Sequence, residues 1–121
     1  MKKILVIDDD PFFGKTLEAA LPKEKYQMVQ AGDGEEGMEK LKSEAPDLII
    51  LDMMMPKVDG QTFLNNLNAN PEIKKPPILV SSNLSSVKKI SDVMALGVSG
   101  YVIKSDESMA SIVQDIERII G

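Results

Sequence analysis

The stretch Asp47–Gly60, DLIILDMMMPKVDG, decides the fold. Leu48, Ile49, Ile50 and Leu51 form an unbroken apolar run, too short for a helix of its own. Such a run matches a strand buried on both faces, as in the middle of a parallel sheet. Asp52 follows at once, then three methionines, Pro56 and the turn pair Asp59-Gly60. Proline cannot extend a ladder, so the strand closes on its carboxylate. Open α/β sheets take their ligands beyond the carboxyl ends of their strands. Taken alone, Asp52 reads better as a loop cap.

A second run of the same kind gives it company. Ile4-Leu5-Val6-Ile7 ends on Asp8, Asp9 and Asp10, followed by Pro11. Two such strands, joined through one strand-helix unit, lie side by side in a doubly wound sheet, and their acids converge. Unit charges ~4 Å apart repel by about 4 kcal/mol at an effective dielectric of ~20, so the cluster calls for a cation. Oxygen ligands without His or Cys favour a hard ion, and Mg²⁺ suits a site that keeps several waters.

Composition narrows the function further. With 121 residues, a single domain over 1–121 is expected. A net charge of -5 argues against binding to a phosphate backbone, so no direct nucleic-acid contact is expected. There is no cysteine and no histidine, which removes disulfides, thiolate chemistry and a Ser-His-Asp triad. The opening apolar run is four residues long and leads straight into aspartates, unlike a signal peptide or membrane span. The expectation is a cytoplasmic protein without a membrane partner.

Along the chain, strand and helix alternate five times. Lys2–Ile7 reads as a strand. The helix after it is capped by Asp10 and opens on Pro11, with Phe13, Leu17, Ala20 and Leu21 on its buried face. Tyr26 to Gln30 is a second strand, followed by a helix with Met38, Leu41 and Ala45 on one face. After the central stretch comes a helix from about Gln61 to Leu67, then the strand Ile78 to Val80 ending in Ser81 and Ser82. A fourth helix is expected over Ser85 to Leu96, closed by Gly97. Its Val87, Ile90, Val93, Met94 and Leu96 are more apolar positions than one buried stripe needs. Tyr101 to Ile103 is the fifth strand and ends on Lys104, before a helix striped with Met109, Ile112, Val113, Ile116, Ile119 and Ile120. The pattern predicts an α/β fold, a parallel sheet covered by helices on both sides.

Strands one, three, four and five therefore end at Asp8/Asp9, Asp52, Ser82 and Lys104. An acid pair, a carboxylate nucleophile, a hydroxyl and a fixed cation suit phosphoryl transfer, which depends on positioning and charge neutralisation. At these residues the chain resembles, over its whole length, the receiver domain of two-component response regulators. The motifs are VIDDDP, LDMMMP, VDG, ILVSS and GYVIK, in that order.

The resemblance implies a flavodoxin-like, doubly wound five-stranded sheet in the order 2-1-3-4-5. It implies phosphorylation of Asp52 by a partner phosphohistidine, on a sensor histidine kinase or a histidine phosphotransfer protein. It further implies Mg²⁺ held by Asp9, Asp52 and the Met54 carbonyl, with Asp8 acting through water. Lys104 would pair with the phosphoryl oxygens and Ser82 would close onto them. Tyr101 would turn inward, reshaping the face of the fourth helix, fifth strand and fifth helix. Met54 and Leu84 would flank the site and set the rate of self-dephosphorylation, expected to be slow because neither orients a water. The output would pass to a downstream target or a C-terminal effector domain, from a monomer or a phosphorylation-dependent dimer. On this reading the chain is a signalling domain rather than an enzyme, either stand-alone or part of a longer regulator. It departs from the family at Ser105, where proline usually follows the lysine, and at Asn83, where a small residue is usual. The first departure puts a cis peptide after Lys104 in doubt. The second is expected to crowd the pocket.

Three other readings compete. Gly32, Gly34 and Gly37 spell G-x-G-x-x-G, but after the second strand and among Asp33, Glu35 and Glu36, which would repel a pyrophosphate. Asp8-x-Asp10 resembles the nucleophile motif of haloacid-dehalogenase-type phosphatases, yet Phe12-Phe13 follows it and Asp52 would be left without a role. An interaction module that never switches would not need the full set Asp8, Asp9, Asp52, Ser82 and Lys104.

Overall fold

The two apolar runs that end in carboxylates are neighbours in space. A computed structural model of the chain describes residues 1–83 and 86–121. In it β1 (Lys2–Ile7) pairs in parallel with β3 (Leu48–Leu51), placing Ile4 beside Leu48 and Ile7 beside Leu51. The amide of Asp52 then donates to the Ile7 carbonyl at 2.9 Å, so Asp8 and Asp52 leave the sheet at one level. β2 (Tyr26–Ala31) flanks β1 on its other side, while β4 (Ile78–Ser82) and β5 (Gly100–Ile103) continue beyond β3. The sheet runs β2-β1-β3-β4-β5, all parallel.

Period-two alternation along the buried strands divides the interior. Leu5, Ile7, Ile49, Leu51, Ile78 and Val80 meet α2 (Gly34–Glu44), α3 (Gly60–Asn68) and α4 (Val87–Met94), through Leu41, Phe63, Leu64, Leu67 and Val93. On the other face Ile4, Val6, Leu48, Ile50, Leu79 and Val102 meet α1 (Pro11–Ala20) and α5 (Met109–Ile120), through Phe13, Leu17, Ile112 and Ile116. Asp10 caps α1, its Oδ1 accepting from the Phe12 amide at 2.9 Å, with Pro11 in the first turn.

Several boundaries differ from the sequence reading. Ala20 is exposed, because the buried face of α1 runs through Phe13, Gly14 and Leu17. Ala45 is exposed as well: it lies beyond α2 in a left-handed conformation, φ 46°, ψ 60°. Pro46 disfavours the α conformation in the residue before it, so the chain leaves the helix there. α4 is described from Val87 with Ser86 at its cap; the expected start at Ser85 lies outside the described residues, as does Leu84. α4 stops at Met94, and Gly97 turns the chain at φ +88°. Val93 is its one buried residue, while Val87 (83% exposed) and Met94 (41%) face outward. Two glycines of the G-x-G-x-x-G decoy, Gly34 and Gly37, have a packing role. A Cβ on Gly37 would meet Ile7 at 2.6 Å, and one on Gly34 would meet Val58 at 2.7 Å.

Candidate functional site

At the carboxyl edge of β1 and β3, one carboxylate oxygen from each of Asp8, Asp9 and Asp52 lies within 4.8 Å of the others. Asp8 and Asp52 are buried and Asp9 is exposed. The Asp8 carboxylate is fully engaged: Oδ1 accepts from the Asp10 amide at 2.9 Å, and Oδ2 lies 2.5 Å from the Lys104 ammonium. The same ammonium is 3.9 Å from Asp52 Oδ2, while Asp52 Oδ1 accepts from the Met54 amide at 3.3 Å. Burial, then the neighbouring Asp8 charge, pushes the Asp52 carboxyl up to about 6, although Lys104 and the Met54 amide pull the other way. Asp52 thus keeps more basicity than an exposed aspartate, with a cation already beside it. Met54 itself is 57% exposed, at the rim.

β4 supplies two hydroxyls in succession, both buried. Strand alternation sends Ser82 to the same face as Val80, which pairs with Tyr101 on β5. There the Tyr101 phenol hydrogen-bonds with Ser82, and burial together with the nearby Asp52 charge raises its pKa. The structure therefore gathers Asp8, Asp9, Asp52, Lys104, Ser82 and Tyr101 at one sheet edge. Leu84 lies outside the described residues.

Two contacts here have no counterpart in the sequence reading. Asn83 does not crowd the site: it is exposed, and its Oδ1 accepts from the Ser105 amide at 3.1 Å. That amide exists because Ser105 is not proline, so the two departures from the family pattern meet in one hydrogen bond. No cis peptide occurs among the described residues, and Lys104–Ser105 is trans. The second contact is aromatic: the Lys104 ammonium sits 4.5 Å from the centroid of the Phe13 ring. Apolar spacing marked Phe13 as core and could not show which polar group its face meets.

The family model of the response regulator receiver domain matches residues 4–117. The chain belongs to this family. Among its curated relatives is a probable transcriptional regulator, ycf27, of Porphyridium aerugineum, 37% identical over 85% of this chain and 42% of the relative. Another is the alkaline phosphatase synthesis transcriptional regulatory protein PhoP of Bacillus subtilis, 34% identical over 85% and 42%. The receiver chain thus spans about two fifths of the length of these relatives. Solved structures share the fold throughout. The BeF3-activated N-terminal receiver domain of Klebsiella pneumoniae RstA is 28% identical, with TM-score 0.86 over 98% of this chain and 97% of that one. The Vibrio cholerae chemotaxis protein CheY4 is 26% identical, with TM-score 0.86 over 99% of each. The strand order β2-β1-β3-β4-β5 is that of the receiver fold. Receiver domains characteristically bind Mg²⁺ in an acidic pocket, and the all-oxygen cluster of Asp8, Asp9 and Asp52 fits a hard cation. No helix among the described residues is long and apolar enough to cross a membrane.

Proposed function

We propose that residues 1–121 work as one phosphorylation-activated switch in which Asp52 is the acceptor. The observation that carries this reading is the Lys104 ammonium lodged between two buried carboxylates, 2.5 Å from Asp8 and 3.9 Å from Asp52. A buried carboxylate nucleophile flanked by a fixed cation and further acids is what transfer of a charged phosphoryl group requires. The Asp52 oxygen attacks phosphorus on a partner phosphohistidine. A P–O bond forms, the P–N bond breaks, and its electron pair returns to the imidazole. Asp8, Asp9, Asp52 and the Met54 carbonyl would hold Mg²⁺, which supplies positive charge against the phosphoryl oxygens. Lys104 turns from Asp8 toward the new group, and the Ser82 hydroxyl exchanges its Tyr101 contact for a phosphoryl oxygen. Release of that contact moves Tyr101 and alters the surface of α4, β5 and α5, which a downstream protein or effector domain reads.

The test is incubation with a small acyl phosphate and Mg²⁺, followed by intact-protein mass measurement. One acid-stable, base-labile phosphoryl group is expected on the parent and none on Asp52→Asn. Equal labelling of both proteins, or labelling undiminished by chelation, rejects the assignment. Lifetime is a separate matter. The exposed thioether of Met54 offers a water no useful hydrogen bond. Met54→Asn is therefore expected to shorten the phosphoryl lifetime several-fold, short of the ~10²-fold that a positioned proton-transfer group supplies. Decay measured after donor removal checks this, and an unchanged rate makes Met54 loop packing only.

A further inference from the structure

Phosphoryl chemistry accounts for the acids around Lys104 but not for the ring beneath it. The Lys104 side chain is 17% exposed, and its ammonium is enclosed by Asp8, Asp52 and the face of Phe13. Phe13 is itself buried and packs with the core under α1 and α5, so its ring is held in place by its neighbours. Asp10 and Pro11 fix the start of α1 and deliver Phe13 into its first turn, directly after the acid loop. A cation within about 6 Å of an aromatic centroid is attracted by the ring quadrupole, more strongly where water is excluded. Leucine or isoleucine would fill the same core space without that attraction. A lysine stem, by contrast, is flexible and gives its ammonium no fixed position of its own.

We infer that Phe13 is a positioning residue for Lys104: its ring face keeps the ammonium between Asp8 and Asp52, so that a phosphoryl group arriving on Asp52 meets a cation already in place. The inference rests on the phosphoacceptor reading above. The ring touches neither donor nor acceptor and acts only through the lysine. Because it also belongs to the core, simple truncation would confuse lost packing with lost attraction. A graded series separates them: fluorination of the ring weakens its quadrupole while nearly preserving its shape.

The experiment replaces Phe13 by mono-, di- and trifluorophenylalanine in the full chain. It measures the rate of labelling by a small acyl phosphate with Mg²⁺ at fixed concentrations. The logarithm of the rate is expected to fall stepwise with each fluorine, reaching about fivefold at the trifluoro ring, the equivalent of ~1 kcal/mol. Phe13→Leu should be at least as slow. A second readout needs no phosphorylation: the ε-methylene protons of Lys104 should resonate upfield through the ring current, and lose that shift in Phe13→Leu. A parent that labels normally while the fluorinated series stays flat overturns the positioning role alone. Absence of the upfield shift in the parent overturns it as well. A parent that takes no label overturns the phosphoacceptor reading and this role with it, whereas the proton shift would still report the ring contact.

Discussion

Asp52 combines two demands that conflict, burial and charge. Burial and the Asp8 charge raise its pKa to about 6, from an ordinary aspartate value of 3.8. Between those values the folded state binds a proton that the unfolded chain has released. By linkage, its contribution to stability is largest at low pH and is lost as the pH rises from about 4 to about 6. Other carboxylates titrate in the same window, so the useful quantity is a difference. In metal-free buffer, Asp52→Asn is expected to gain stability over the parent as the pH rises through that window, then to hold a constant advantage. Denaturant titrations at a series of pH values check this, and a gap independent of pH rejects a strained carboxylate at Asp52. The conflict was visible in the sequence as an acid closing a four-residue apolar run. Its relief by Lys104 was not, because strand ends 52 positions along the chain meet only once the strand order is known. Ser82 is the converse case. The tandem Ser81-Ser82 offers two hydroxyls, and the family resemblance picked the one that alternation turns toward Tyr101.

Elements were legible wherever one chemical period ran through them. The strands and the stripes of α3 and α5 followed from apolar spacing, as did Phe13 and Leu17 on α1, and Asp10 caps its helix as a short acid before proline does. Ends without a period were read less well. Ala45 continued the spacing of Met38 and Leu41, but Pro46 turned it out of the helix into a left-handed cap. An alanine there strains against its own carbonyl, a cost that glycine avoids. Ala45→Gly is accordingly expected to stabilise the protein by about 0.5–1 kcal/mol after the extra chain entropy of glycine is set against it. Urea denaturation measures this, and a less stable variant would show that the cap is unstrained. Contacts between loops lay furthest from sequence reasoning. Asn83 and Ser105 were each noticed as unusual, yet their hydrogen bond joins the ends of β4 and β5 across 22 residues, where no periodicity reaches.

For the molecule as a whole, Mg²⁺ held by the acid cluster as proposed would link folding to metal. Mg²⁺ that binds Asp8, Asp9 and Asp52 only when they are assembled stabilises the fold by mass action, ~2.7 kcal/mol at a hundredfold excess over Kd. The melting temperature is expected to rise by several degrees with millimolar Mg²⁺, and Asp9→Asn should remove most of that rise. A melting curve indifferent to the ion would mean that the cluster does not bind it. Strand alternation with helices predicted a parallel sheet but not the order of its strands; that came from the family resemblance, and the structure has the same order. The sheet also acts as a partition. Phe13 lies in the core on the α1 and α5 side, while Tyr101 packs against the core on the α3 and α4 side. With the sheet between them, the two aromatic rings belong to separate packing neighbourhoods, and what joins them is the polar site: Phe13 faces Lys104, and the Asp52 charge beside Lys104 also acts on Tyr101. On the proposed function, substitutions on the tyrosine side of the sheet change which partner reads the switch, while those around Lys104 change the transfer step itself.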